Sequence, residues 1–578
     1  GGLEEARALA GLNRAAIRFP SDTRIDLAAK RSRAAALLAD EPDSRDKAFI
    51  LVNLARYWDG DPQSEARYEL LHRALEVART IDDRRAESYA AGDLGHLYEL
   101  AGDSDRALSF SQTAQYAAQE SRSTESLYLW QWQAGRILAK THRRPEAIAA
   151  YLAAMDSLEE ARSEVVPTNL DAQADFKDLV EPVYRQLLTI LLDPEDKRTG
   201  DLETAREVLE RLKISELQNF FGDNCVRAES KRLRDEGKAL DPNAAYIYTI
   251  VFPDRLEIVA RFRESSWREY IVPISKADLT QKVDRLRFTL EKRTTNEYLK
   301  PARELYELLI TPIAAELEAS APRTVVFIHD GALRKVPMSA LYNGTKFAIE
   351  LYPIAVSPGL SITERTPFDR SNTNTLLMGL TVSRHLFPAL PNVKREIEIV
   401  ASLLPEHTIL LDEEFTFDNF VDRVRNTFEP VEMVHIATHG EFGVDGRHTF
   451  LVAYDELIPI RHLDRAIRNR FVPDGFAFDE PIQLLVLSAC QTAAGDSRSA
   501  LGMGGVAVRA GAKTALATLW SIDDADIVPI IEIFYRQLLK PENTVAEALQ
   551  AAQLQAIADF QTEHPAVWSP LIAIGNWQ

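Results

Sequence analysis

Two apolar strings in the last third of the chain constrain the fold most: Val434-His435-Ile436-Ala437-Thr438-His439-Gly440 and Leu484-Leu485-Val486-Leu487-Ser488-Ala489-Cys490-Gln491-Thr492. Both lack the polar alternation of a strand with one wet face. Continuous apolar runs of this length mark strands buried on both faces, as in a parallel sheet covered by helices. Three more runs share that texture: Val325 to Ile328, Thr375 to Met378 and Thr514 to Ala517. Amphipathic stretches such as Val393 to Leu404 lie between them. The pattern predicts an α/β domain with a mainly parallel central sheet covered by helices.

Each of the two strings ends in one reactive side chain, His439 or Cys490. Open α/β sheets place their sites beyond the C-terminal ends of the strands. If the two strands are neighbours, an imidazole and a thiol meet there, which is the chemistry of a cysteine nucleophile with a histidine base. Gly440, directly after the histidine, leaves backbone room for a substrate. The N–H groups of Gly440 and Cys490 are candidates for stabilising an oxyanion. Competing readings are weaker. His435 and His439 are four apart, but the string lacks the glutamate of H-E-x-x-H and lies in a β-rich run, so a zinc site is not expected. His435 reads as a buried, hydrogen-bonded residue behind the site. Gly502-Met503-Gly504-Gly505 lacks the Gly-Lys pair of a phosphate loop and reads as close helix packing. No G-x-S-x-G elbow is present.

Residues 1–220 have a different texture. They are rich in Ala, Leu, Glu and Arg, without β-branched runs, and their apolar positions recur at helical spacing. Self-comparison reveals a period of 40: Ala55, Gly95 and Gly135 share one register, and Ala74, Ala114 and Ala154 share another. Trp58, Tyr98 and Leu138 supply a large residue three positions after the small one. Leu94-Gly95-His96-Leu97-Tyr98, with Ala107 and Ala114 after the turn Gly102-Asp103, resembles the helix-turn-helix signature of tetratricopeptide repeats. Such arrays carry no chemistry and present a protein-binding face. A further pair is expected over Tyr184–Leu192 and Leu202–Leu212.

Between the two textures, Ala245 to Val251 and Arg255 to Ala260 flank Phe252-Pro253-Asp254 and predict a β-hairpin, with a third strand from Trp267 to Val272. Residues 276–318 read as helical. The expected organisation is therefore a helical array over 1–220, a connector over 221–320 and an α/β domain over 321–578.

Composition narrows the function. The net charge of −20 argues against a surface built for nucleic acid, which needs clustered Lys and Arg. Only Cys225 and Cys490 are present, so no disulfide framework and no cysteine-rich zinc site is expected, and a reducing cytoplasm suits an unpaired thiol. No run of 18 apolar residues and no signal peptide is visible, so no membrane association is expected.

The motifs, taken together, resemble a known family. His439-Gly440 and Ser488-Ala489-Cys490-Gln491-Thr492 are similar to the His-Gly and Ala-Cys signatures of the caspase-like cysteine peptidases. Ala500 to Gly505, Gly511-Ala512-Lys513, Leu519 to Asp524, Asp330 to Arg334 with Pro337, and Leu390-Pro391-Asn392-Val393 resemble the CHAT branch of that clan, over roughly Ala244 to Trp577. The resemblance implies peptide-bond hydrolysis without a cofactor, with His439 as base and acid and Cys490 as nucleophile. It also implies tetratricopeptide repeats upstream that bind the protein substrate or a regulatory partner. CHAT proteins occur in bacterial regulation and antiviral defence, some beside RNA-guided effector complexes, so an activator of that kind is among the implied partners. In the clan, the loop after the next strand helps line the substrate pocket. Here it runs from Trp520 to Asp526, where Asp524 and Asp526 would favour Arg or Lys, much as in the separases. Helix capping is the alternative role for those carboxylates. A catalytically silent scaffold is the alternative for the whole chain, and a cysteine acyl transferase is a third.

Overall fold

A computed structural model of the chain describes residues 27–56, 65–165, 176–198, 200–221, 240–263, 265–371, 373–425, 430–442, 449–459, 462–463, 466–467, 482–492, 512–559 and 563–578. Two compact units divide it, Gly1–Asp201 and Leu202–Gln578.

The first unit is helical. Its helices are α1 (Leu27–Ala39), α2 (Arg45–Arg56), α3 (Glu65–Thr80), α4 (Arg84–Ala101), α5 (Ser104–Glu120), α6 (Thr124–Lys140), α7 (Arg144–Val165) and α8 (Glu181–Leu191). Local chemistry sets their ends. The Asp83 carboxylate accepts the Ala86 N–H and starts α4, and Gly102, at φ 79°, ends it in the left-handed conformation. Asp103 then caps α5 through the Arg106 N–H. The 40-residue register explains the packing. Ala55, Ala74, Ala114 and Ala154 are all fully buried. A Cβ on Gly95 would meet the Gln133 amide at 2.6 Å, and one on Gly135 would meet the Tyr151 ring at 2.8 Å. Small residues stand where helices touch. Of the large positions, Tyr98 stacks on Phe110 at 5.4 Å, Leu138 is buried, and Trp58 lies outside the described residues. The successive hairpins α2–α3, α4–α5 and α6–α7 fit tetratricopeptide-like repeats.

The second unit begins with α9 (Asp201–Phe221), which the sequence reading places in the array. Helical periodicity identifies a helix but not what it packs against. The buried face of α9 mixes apolar residues such as Val208, Leu209 and Leu212 with three charged ones, and the charged ones tie it to the sheet and its loops. Glu210 accepts from the Tyr248 hydroxyl and from the Leu360 and Ser361 N–H groups. The Lys213 ammonium donates to the His329 carbonyl at 2.7 Å, and Glu216 pairs with Arg334.

The sheet has thirteen strands among the described residues: β1 (Ala244–Val251), β2 (Leu256–Phe262), β3 (Arg268–Val272), β4 (Thr324–Ile328), β5 (Ile354–Val356), β6 (Thr375–Gly379), β7 (His407–Leu411), β8 (Met433–Phe442), β9 (Phe450–Val452), β10 (Leu457–Pro459), β11 (Ile482–Thr492), β12 (Ala512–Thr518) and β13 (Leu571–Gly575). Their order is β10-β9-β8-β11-β12-β13-β5-β4-β1-β2-β3, with β6 beside the first half of β8 and β7 beyond β6. The five apolar runs singled out in the sequence are β4, β6, β8, β11 and β12. The predicted hairpin is β1–β2, with β3 beside it. Because β1 pairs with β4, that hairpin is part of the same sheet.

The sheet is mixed, with parallel blocks. β7, β6, β8, β11 and β12 run parallel, and so do β13, β5, β4 and β1. The blocks meet antiparallel at β12–β13. Helices α10 (Lys276–Leu290), α11 (Leu299–Leu309), α12 (Ala314–Ser320), α13 (Val393–Leu403), α14 (Phe417–Arg425), α15 (Asp524–Leu538), α16 (Val545–Ala558) and α17 (Pro565–Trp568) complete the unit. One core cluster runs through both blocks, from Ile247 to Ile574. No helix among the described residues is long and apolar enough to cross a membrane.

Candidate active site

The two strings that end in His439 and Cys490 are neighbouring strands. β8 and β11 pair in parallel, and Gly440 stands opposite Cys490 in the register. The register shifts just before that point: Ser488 faces Ala437, so two residues of β8, Thr438 and His439, share the space of Ala489. This is a β-bulge. Such irregularities re-aim side chains and recur beside active sites. It falls on the histidine. Thr438, buried next to it, anchors the bulge by donating its hydroxyl to the Val452 carbonyl at 2.6 Å. Gly440 itself is buried between two neighbours, Cys490 in β11 and Leu451 in β9.

His439 is half-buried, and its Nε2 lies 3.0 Å from the Pro388 carbonyl. A carbonyl only accepts, so Nε2 carries the proton and Nδ1 keeps the lone pair. Burial holds the imidazole below its ordinary pKa, against opposing pushes from the Pro388 hydrogen bond and the Asp524 charge. The neutral form, the one that can accept a proton, is therefore favoured near neutral pH. The Phe387 ring lies 5.2 Å from the imidazole and fixes one side of it.

The segment between β6 and α13 brings Pro388 to this place. It is pinned at both ends by carboxylates. Asp412 accepts from the Thr381 N–H at 2.7 Å and from the Thr381 hydroxyl. Asp524 accepts from the Asn392 N–H at 2.8 Å and from the Asn392 side-chain amide at 3.2 Å. No short-range signal marks Pro388 or Asp412 as site residues, because their partners lie 51 and 31 positions away; Asn392 belongs to the Leu390-Pro391-Asn392-Val393 motif, but its partner lies 132 positions away.

The three expected pocket residues are engaged as follows. Asp523 caps α15 through the Ala525 N–H, whereas Asp524 holds Asn392. Asp526 pairs with Arg293 at 2.6 Å. Trp520 is buried, donates its indole N–H to the Ala566 carbonyl at 3.0 Å and carries the Arg287 guanidinium 4.3 Å over its ring. Asp524 is thus the one of the two carboxylates that stands close enough to influence His439.

Beneath the site, His435 is fully buried. Its Nε2 lies 3.0 Å from Glu396 on α13 and its Nδ1 lies 3.1 Å from the Tyr535 hydroxyl on α15. This polar chain ties β8 to both helices, and burial pushes the Tyr535 pKa well up. The run Gly502 to Gly505 lies outside the described residues.

Residues 299–576 match the model of the CHAT domain, a span that includes β8, β11 and both site strings. This part of the chain is a CHAT domain. Among solved structures, the chain is similar to the Arg-specific cysteine proteinase gingipain R (RGPB), at 10% identity over 52% of this chain and 74% of that one, with a TM-score of 0.31. No curated protein matches the sequence.

Proposed function

We propose that the CHAT domain is a cysteine endopeptidase that cleaves a protein substrate through His439 and Cys490. The observation that carries the reading is the pairing of Gly440 with Cys490 across a bulge centred on the histidine. It supports a placement of the two residues side by side at the C-terminal ends of two parallel strands. The Pro388 carbonyl orients the ring so that Nδ1 is the atom able to take the thiol proton. The thiolate then attacks the scissile carbonyl carbon. The oxyanion that forms draws on N–H groups at the bulge, with Gly440 and Cys490 as the donors. The imidazolium returns its proton to the leaving amine, and water, deprotonated by the same ring, releases the acyl-enzyme. In this reading the helical array binds the substrate or a protein activator, an RNA-guided effector complex being one candidate. Asp524, held by Asn392, is an acidic residue whose charge reaches His439, and a preference for Arg or Lys before the cleaved bond is its expected consequence.

Two measurements test the reading. New protein N-termini are compared across a proteome exposed to the wild type or to Cys490→Ala. Termini unique to the wild type are expected, and their absence sinks it. Alkylation of Cys490 is timed in a Cys225→Ser background, with and without His439→Ala. A rate indifferent to His439 would favour a silent scaffold.

A further inference from the structure

Beside His439 the chain makes a turn that its residues disfavour. Arg384 and Phe387 form an isolated antiparallel bridge, closed by the Phe387 N–H donating to the Arg384 carbonyl at 2.8 Å. The two residues inside it, His385 and Leu386, have φ of 50° and 72°. Successive left-handed residues are what a type I′ turn demands, and Asn-Gly is the usual answer. A leucine pays for that conformation with a clash between its Cβ and the backbone. Strain of this kind persists where the surroundings over-determine it, and it clusters at functional sites. Here the surroundings are on view. The Arg384 guanidinium sits 3.8 Å over the Tyr454 ring, and the Ser383 hydroxyl donates to the Phe387 carbonyl at 2.7 Å. Phe387 packs between His439 and Phe450. The base of the turn is tied down through Ser383, Arg384 and Phe387, and its tip is not. At the tip, Leu386 is 104% exposed, the most exposed large apolar side chain among the described residues.

A strained leucine held out next to the imidazole gains nothing from its own chain. We propose that Leu386 is a specificity-determining residue that packs against an apolar side chain of the peptide being cleaved. The proposal rests on the peptidase reading above. Leu386 is one Cα step, roughly 3.8 Å, beyond the residue that touches the imidazole. An extended peptide advances about 3.3 Å per residue. With the Phe387 ring 5.2 Å from the imidazole, Leu386 stands roughly 9 Å from it, so the contacted side chain lies about two to three residues from the cleaved bond. It is aliphatic or aromatic, since Leu386 offers no polar group.

Leu386→Gly and Leu386→Asn test this, because both residues accept the left-handed conformation and neither offers an aliphatic surface. Wild type, both variants and Cys490→Ala are each given a proteome-derived peptide library, and thermal unfolding is followed in parallel. Relief of strain should raise Tm by about 1–3 °C. Cleavage of peptides with an apolar residue at the responding position should fall about tenfold in kcat/KM, through KM, while peptides polar there are unaffected. Three results overturn the proposal. An unchanged cleavage profile makes the leucine idle. A lower Tm in both variants makes its role structural. No cleavage by the wild type above the Cys490→Ala blank removes the peptidase reading and this inference with it, an outcome distinct from the other two.

Discussion

The helical unit and the CHAT unit solve the same packing problem with opposite resources. In the array, helices touch where a side chain is missing: at Gly92, Gly95, Gly135 and the buried alanines of the 40-residue register. Contacts join one hairpin to the next, so neighbours in space are close in sequence. In the CHAT unit, residues far apart in the chain converge on two strands. The Pro388–His439 bond spans 51 positions and the Asn392–Asp524 bond 132. Where contacts are local, shape repeats. Where they are distant, unlike groups can be brought to one point, and that is where His439 stands, one residue from the Gly440–Cys490 pair.

Four changes break or sharpen that contrast. The largest effect belongs to Cys490→Ala, which should lower peptide cleavage by about 10³-fold or more while leaving both units folded, as read by cleavage assay and circular dichroism. Glu396→Ala comes next. It leaves fully buried His435 without its hydrogen-bond partner at Nε2, and an unsatisfied buried polar group costs about 1–3 kcal/mol. Denaturant unfolding should show the loss in the CHAT unit only, and cleavage should fall with it. Gly92→Ala carries the same logic into the array. Alanine improves an exposed helix by about 1 kcal/mol over glycine. At Gly92, however, its Cβ would lie 2.2 Å from the Trp130 ring, which cannot swing away because its indole N–H is held by Ser88. Overpacking costs about 1–3 kcal/mol, so the net change is a loss. The transition of the array should move to lower temperature with kcat unchanged; a stabilised array would refute the small-residue account.

The smallest effect is electrostatic. The Asp524 charge raises the His439 pKa, partly offsetting the larger downward push of burial. Removing it with Asp524→Asn lets the pKa fall further, so the imidazole stays neutral to lower pH. The acid limb of kcat/KM should move down by a few tenths of a pH unit. A shift upward would show that the carboxylate acts through its hold on Asn392 and not through its charge.

Much of the framework was readable in the residues. Five apolar runs marked five strands because a strand buried on both faces must be apolar throughout, and the glycine and alanine register marked the hairpins because close helices need small residues. Short or half-exposed strands, such as β5, β7 and β9, carry too little apolar signal to be seen this way. The helix α9 was visible as a helix, but its allegiance depends on buried Glu210, Lys213 and Glu216, whose charged identities read as a wet surface. At the site, His439 and Cys490 were legible because each ends a run. His435 was legible as buried, but its partners Glu396 and Tyr535 lie 39 and 100 positions away. The supporting carbonyl of Pro388 is a backbone atom, which any residue would supply.

The edge of β8 changes hands partway along. Five register pairs stitch its lower half to β6, whereas two join its upper part to β9. The imidazole hangs where one seam has stopped and the other has barely begun. Prying that stretch open on this edge disturbs few rungs, so the amide protons that face it should trade with solvent well before those of Met433 to Ala437. The tightly sewn lower half acts as a fixed handle, and the histidine rides on the blade.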